Sequence, residues 1–168
     1  MSKCIVVVDM QNDFVNGELG TNEAKEMLPR LLEKLKKEED TPLFFTKDTH
    51  KENYLATNEG KHLPVKHCIK NTDGWQIVDE LQEFAAKAEV IEKKTFGSTR
   101  LPSVVAKFDE IELVGVCTDI CVISNAILLK AFFPEKTISV DSNACAGTTV
   151  EGHQKALDVM RTCHVEVK

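Results

Sequence analysis

Short apolar, β-branched runs alternate along this chain with longer stretches whose apolar residues recur every three or four positions. The runs are Cys4 to Val8, Leu43 to Thr46, Val90 and Ile91, Ile111 to Val116, Thr137 to Val140, and His164 to Val167. The amphipathic stretches are Asn22 to Glu38, Gly74 to Phe84, Leu101 to Lys107, Asp119 to Phe132, and Val150 to Cys163. Such alternation marks βαβ units. It predicts an α/β fold in three layers, α/β/α, with five or six strands in a mainly parallel central sheet. From Asp48 to Asp73 the periodicity lapses into a polar segment rich in Lys, Asn, Thr, Glu and His. Irregular stretches of that length in compact domains are usually functional or disordered. Ligands of open α/β sheets bind beyond the carboxyl ends of the strands, so residues that follow each apolar run are the ones to inspect.

Composition narrows the choice. A chain of 168 residues is long enough for one domain with a sizeable core, here expected to span residues 1–168, whereas two domains would each be small. With 42% hydrophobic and 29% charged residues it has the make-up of an ordinary globular protein. The net charge is -6 and the lysines are scattered among Asp and Glu, which leaves no basic face for a phosphate backbone; nucleic acid is not expected as a partner. The apolar run Cys4 to Val8 is too short for a signal peptide or a membrane span. The expectation is therefore a cytoplasmic protein with no membrane partner, whose six cysteines are reduced thiols. Association into a homo-oligomer is left open.

Three strand ends carry candidate chemistry. Asp9 closes the run VVVD, where a carboxylate must be paired to be tolerated; alone it reads equally well as a turn former. Cys121 lies in VGVCTDICV, where a strand gives way to the N-cap formers Thr118 and Asp119 and then a helical pattern. A thiol in a first helical turn meets free N–H groups and the positive end of the helix dipole, which favour thiolate, and the N–H groups of Cys117 and Cys121 could face an oxyanion. Against this stands the ordinary buried cysteine, the default for Cys4, Cys117, Cys145 and Cys163. Lys93 and Lys94 follow a short strand, and either is more often a solvated side chain than a catalytic one. In KDTH, Asp48 and His50 project to the same side of an extended chain and suit a divalent ion of the zinc, iron or manganese kind, with Glu59, His62 and His67 downstream as further ligands.

Taken together, DMQNDF at Asp9 to Phe14, DTH at Asp48 to His50, HC at His67 and Cys68, EKKTFGS at Glu92 to Ser98, GVCTDICV at Gly115 to Val122 and DSNACAGTTVEGH at Asp141 to His153 resemble the isochorismatase-like cysteine hydrolases, in particular their nicotinamidase-like branch. The match in order and spacing covers nearly the whole chain. It implies that Asp9, Lys93 and Cys121 fill the family's catalytic Asp, Lys and Cys roles, Lys93 being preferred to Lys94 because Phe96 follows it by three residues. It also implies a cis peptide before Cys117, an oxyanion hole made by the N–H groups of Cys117 and Cys121, and one divalent metal ion, zinc first and iron or manganese as alternatives, on Asp48, His50, His67 and Glu59. The implied reaction is hydrolysis of nicotinamide, a small-molecule amide, through a Cys thioester. Leu63 and Pro64 stand where the branch commonly has Trp-Pro, and Thr99 replaces a frequent aromatic, leaving Phe14 as the clearest stacking surface and Leu63 as its aliphatic companion. A related amidase acting on another small amide or carbamoyl compound, and an inactive metal- or thiol-binding protein, are the competing readings.

Overall fold

A computed structural model describes residues 1–168. Six strands, β1 (Lys3–Val8), β2 (Leu43–Asp48), β3 (Glu89–Lys93), β4 (Glu110–Val116), β5 (Thr137–Ala146) and β6 (Glu166–Val167), form one sheet in the order β3-β2-β1-β4-β5-β6. Every adjacent pair is parallel. The helices are α1 (Asn12–Val15), α2 (Asn22–Lys37), α3 (Asn58–His62), α4 (Gln82–Ala85), α5 (Leu101–Val105), α6 (Ile123–Phe132) and α7 (Val150–Thr162).

Because side chains alternate across a strand, the buried sheet feeds two cores. Cys4, Val6 and Val8 of β1 point into one with residues of α5, α6 and α7, while Ile5 and Val7 point into the other with Met27, Leu28, Leu31 and Leu35 of α2. The stripe on α2 is the one its sequence period predicts, and Thr21 caps it by accepting a hydrogen bond from the Ala24 N–H. One charge interrupts the apolar run of β4. Glu112 is buried and ion-paired to Lys3 at 2.7 Å and Lys34 at 3.1 Å.

Several elements differ from expectation, each for a tertiary reason. The segment Gly74 to Phe84 is not one amphipathic helix. It breaks into turns at Asp73–Trp75 and Asp79–Leu81 before α4, because Ile77 pairs with Gln11 and the Val78 N–H bonds the Met10 carbonyl, drawing the chain across the end of β1. The irregular stretch from Asp48 to Asp73 contains a 3-10 turn at Tyr54–Ala56 and α3. Strand β5 continues six residues beyond Val140, its pairing with β4 shifting register between Leu113 and Gly115. Gly115 has φ +111, and a side chain there would collide with the Val8 backbone, standing 2.9 Å from its nitrogen. Only glycine lets β4 approach β1 this closely just before both strands end.

Candidate active site

The strand ends bring the three sequence candidates into contact. Asp9 leaves β1 with φ +48, its carboxylate completely buried. Thr46 on β2 donates its hydroxyl to Oδ1 at 2.7 Å, and Lys93 Nζ stands 2.6 Å from Oδ2. Lys93 and Ile91 point inward from β3 while Lys94 is exposed, so strand alternation chooses between the two lysines. The Lys93 ammonium also lies 3.3 Å from Cys121 Sγ and 3.4 Å from Asp48 Oδ1, and donates to the Thr95 carbonyl at 3.1 Å.

One ammonium thus serves two carboxylates and a thiol. Burial disfavours its charge, yet Asp9, Cys121 and Asp48 together hold the Lys93 proton well above the ordinary lysine range. Burial pushes the Asp9 carboxyl up, with Lys93 pulling the other way. It also pushes the Cys121 thiol well up, and the neighbouring Asp9 charge adds to the shift through a hydrogen bond. Dehydration and a facing carboxylate work against the thiolate that a helix end favours.

Local structure at the cysteine also departs from the expected helix start. Residues Thr118–Val122 form a single π-helical turn ahead of α6, and the Val116–Cys117 peptide is cis. Thr118 and Asp119 do not cap this turn with their side chains. The Thr118 hydroxyl meets His153 Nδ1, and the Asp119 carboxylate accepts from Thr148. Cys117 packs against the α2-side core, as a filler would, but also borders the substrate-sized cavity. Burial pushes its thiol up to about 12. Cys4 and Cys145 are buried, Cys163 is exposed rather than core, and all six cysteines are free.

A second cluster adjoins the first. One ligand atom each from Asp48, His50, Glu59 and His67 lies within 4.8 Å of the others, a group able to coordinate a metal ion. His50 Nε2 is 2.9 Å from Asp48 Oδ2 and 3.5 Å from Glu59 Oε1; His67 Nε2 is 3.6 and 3.7 Å from the same two atoms. The four atoms converge on one point, two nitrogens and two carboxylate oxygens, as a divalent ion requires. His67 Nδ1 donates to the Val65 carbonyl at 2.8 Å, which leaves its Nε2 lone pair free to face that point. Burial opposes the Asp48 charge, but both imidazoles and Lys93 hold this carboxyl well below the usual carboxylate range. His62 is exposed, bonded to the Asn58 carbonyl on the outer face of α3, and does not belong to the group.

Supports of this cluster went unnoticed in the sequence. Gln11 clamps Asp48, accepting from its N–H and donating to its carbonyl, both at 2.8 Å. Asp13 accepts from the Cys68 N–H at 2.7 Å. Tyr54 lies edge-on to both imidazoles and donates its hydroxyl to the Leu63 carbonyl at 2.9 Å. The first two sit inside DMQNDF, where the motif itself was the only available signal.

The two clusters open into one cavity of about 310 Å³. Asp48, Glu59 and His67 line it together with Cys117 and Cys121, while Phe14, Leu63, Leu19 and Ile120 supply apolar walls. Phe14 is set 5.5 Å, ring to ring, from His67. Phe14 and Leu63, both singled out from sequence, line this cavity, as do Leu19, Thr21, Ile120 and Thr148, which sequence did not single out because helix and turn positions carry no local mark of facing a cavity.

Residues 3–167 match the family model described as Isochorismatase domain. The chain is 31% identical, over 94% of its length and 93% of the relative's, to the "Uncharacterized isochorismatase family protein PncA" of Bacillus subtilis. It is 25% identical to the "Nicotinamidase" of Saccharomyces cerevisiae, over 83% and 86% of the two chains. Its structure is similar to that of a pyrazinamidase/nicotinamidase from Streptococcus mutans, with a TM-score of 0.87, 26% identity, and coverage of 99% of this chain and 100% of that one.

Proposed function

The chain belongs to the isochorismatase family of hydrolases, and within that family we propose a metal-containing, nicotinamidase-like cysteine amidohydrolase that converts nicotinamide to nicotinate and ammonia. The observation that supports this reading is the single cavity lined both by the Cys121 thiol and by the Asp48, Glu59 and His67 ligands. A small ring bearing both a carboxamide and a basic nitrogen spans such a site with each end addressed by the chemistry it needs.

Asp9 takes the thiol proton as Cys121 attacks the amide carbonyl carbon, so that no free thiolate has to persist in a buried site. Negative charge on the former carbonyl oxygen is received by the N–H groups of Cys117 and Cys121. As the tetrahedral adduct collapses, the proton on Asp9 passes to the departing nitrogen and ammonia leaves. Water then attacks the thioester carbon, giving one proton to Asp9; the C–S bond breaks, Asp9 returns that proton to the Cys121 sulfur, and the acid product leaves, losing its remaining proton to solvent as it becomes the carboxylate. Throughout, Lys93 stays protonated and balances the charge exchanged between Asp9 and Cys121. Asp48, His50, Glu59 and His67 would hold a divalent ion, zinc being the first choice for two nitrogens and two oxygens, and such an ion would supply Lewis-acid character beside the ring nitrogen. Phe14 offers the ring a face, and Leu63 closes the aliphatic side.

The aliphatic wall of Leu19, Leu63 and Ile120 favours one second reading, a related amidase for another small amide or carbamoyl compound. An ammonia-release screen over nicotinamide, aliphatic amides and carbamoyl compounds, with metal content measured on the same sample, separates the two. Chelation, or His50→Ala, is expected to lower turnover of nicotinamide by at least about tenfold. Metal-free protein that hydrolyses nicotinamide at the full rate would reject the metal assignment.

A further inference from the structure

The turn that carries Cys117 and Cys121 is fastened from outside by the start of α7. Thr118 is completely buried, and its hydroxyl lies 2.7 Å from His153 Nδ1. Next to it, Asp119 accepts from the Thr148 N–H at 2.9 Å and the Thr148 hydroxyl at 2.5 Å. The helix start can come this near because Gly147 carries no side chain, since a Cβ there would stand 2.7 Å from the His153 nitrogen. Thr118 adjoins Cys117 directly, and the carbonyl of Cys117 receives the N–H groups of Ile120 and Val122. Whatever fixes Thr118 therefore fixes both ends of the turn.

We propose that His153 is a positioning residue, holding the Thr118 hydroxyl so that the Cys117–Cys121 turn keeps its N–H groups aimed at the oxyanion. The inference rests on the amidase reading given above, and it assigns a role to a side chain that does not border the cavity.

Counting protons fixes the direction of the bond. If Nδ1 is unprotonated, the buried hydroxyl donates to it and is satisfied. If Nδ1 carries a proton, the hydroxyl must accept, and its own proton is left inside the protein without use, which costs about 1–3 kcal/mol. The neutral, Nε2–H form of His153 is thus the one that holds the turn. Burial favours that form and pushes the imidazolium down from its ordinary range; Arg30 acts in the same direction and Asp119 against it. From α2, Glu23 and Glu26 line the same surface depression as Arg30 and His153, with Cys145 on β5 as the remaining titratable neighbour. Protonation of His153 reverses the bond and loosens the turn on the acid side of neutrality.

The test compares wild type with His153→Ala, His153→Asn, Thr118→Val and the double variant His153→Ala/Thr118→Val, all loaded with metal. For nicotinamide hydrolysis, kcat is expected to fall about tenfold in each alanine or valine variant with KM changed by less than about twofold, a fraction of the effect of deleting an oxyanion donor outright. The double variant should be no worse than either single one, and asparagine, which still offers an acceptor oxygen, should recover part of the loss. Independently of turnover, the backbone amide signals of Cys117 to Cys121 in wild type should titrate with the midpoint of the His153 ring and stop doing so in His153→Ala. Unchanged kcat in His153→Ala, additive losses in the double variant, or amide signals indifferent to the imidazole would each overturn the proposal. Amides that follow His153 in a wild-type protein releasing no ammonia would uphold the positioning role and reject the amidase reading instead.

Discussion

Replacing Cys121 by alanine is expected to reduce ammonia release from nicotinamide by at least about a thousandfold in kcat, the scale on which covalent enzymes lose their nucleophile. The fold should survive. The missing sulfur, though part of the core beside α6, also borders an existing cavity, so the space left by the deletion opens partly into that cavity. Lys93 retains both carboxylates as partners when Sγ is gone, which leaves no charge stranded. Circular dichroism and a melting curve taken beside the assay check both halves of the expectation. A variant that folds normally and turns over at the wild-type rate would remove Cys121 from the mechanism.

Lys93→Met should do what the cysteine variant does not, and damage stability together with activity. Asp9 is completely buried and Lys93 almost so, and the ammonium is the only cation against that carboxylate. Removing one partner of a buried pair strands the other charge, at a cost of about 3–5 kcal/mol. Chemical denaturation should show a lowered midpoint with an unchanged slope. Adding Asp9→Asn to the same protein should restore part of the stability while leaving it inactive, since the stranded carboxylate is then neutral. If the double variant is no more stable than Lys93→Met alone, the loss does not arise from charge.

Much of this site was legible before any coordinates, and the reasons are local. β1 and β4 announce themselves as apolar runs, and a carboxylate or a cysteine just past such a run must lie at the sheet's carboxyl edge. Ligand chemistry marked Asp48, His50, Glu59, His62 and His67 as candidates in one polar loop, and the family resemblance, not their spacing, set His62 aside. What stayed hidden depends on distant partners. Gly74 to Phe84 has a helical pattern, but its backbone is spent on Met10, Gln11 and Asn12. Thr118 and Asp119 look like caps by residue type, yet their side chains answer to residues about thirty positions later. The upward push on the Cys121 thiol was likewise out of reach, since it comes from how dry the site is and from a carboxylate on another strand.

The sheet order has a consequence for how this protein fails when heated. Lys93 lies on β3, an outermost strand whose five residues pair only with β2, whereas Asp9 follows β1 and Cys121 follows β4, both in the middle of the sheet. Margins of a sheet open at lower free energy than its centre. Brief peeling of β3 would carry the ammonium out of the site and leave the other two groups in place. Thermal inactivation should accordingly begin well below the melting transition and reverse on cooling, with amide hydrogens of β3 exchanging before those of β1 and β4.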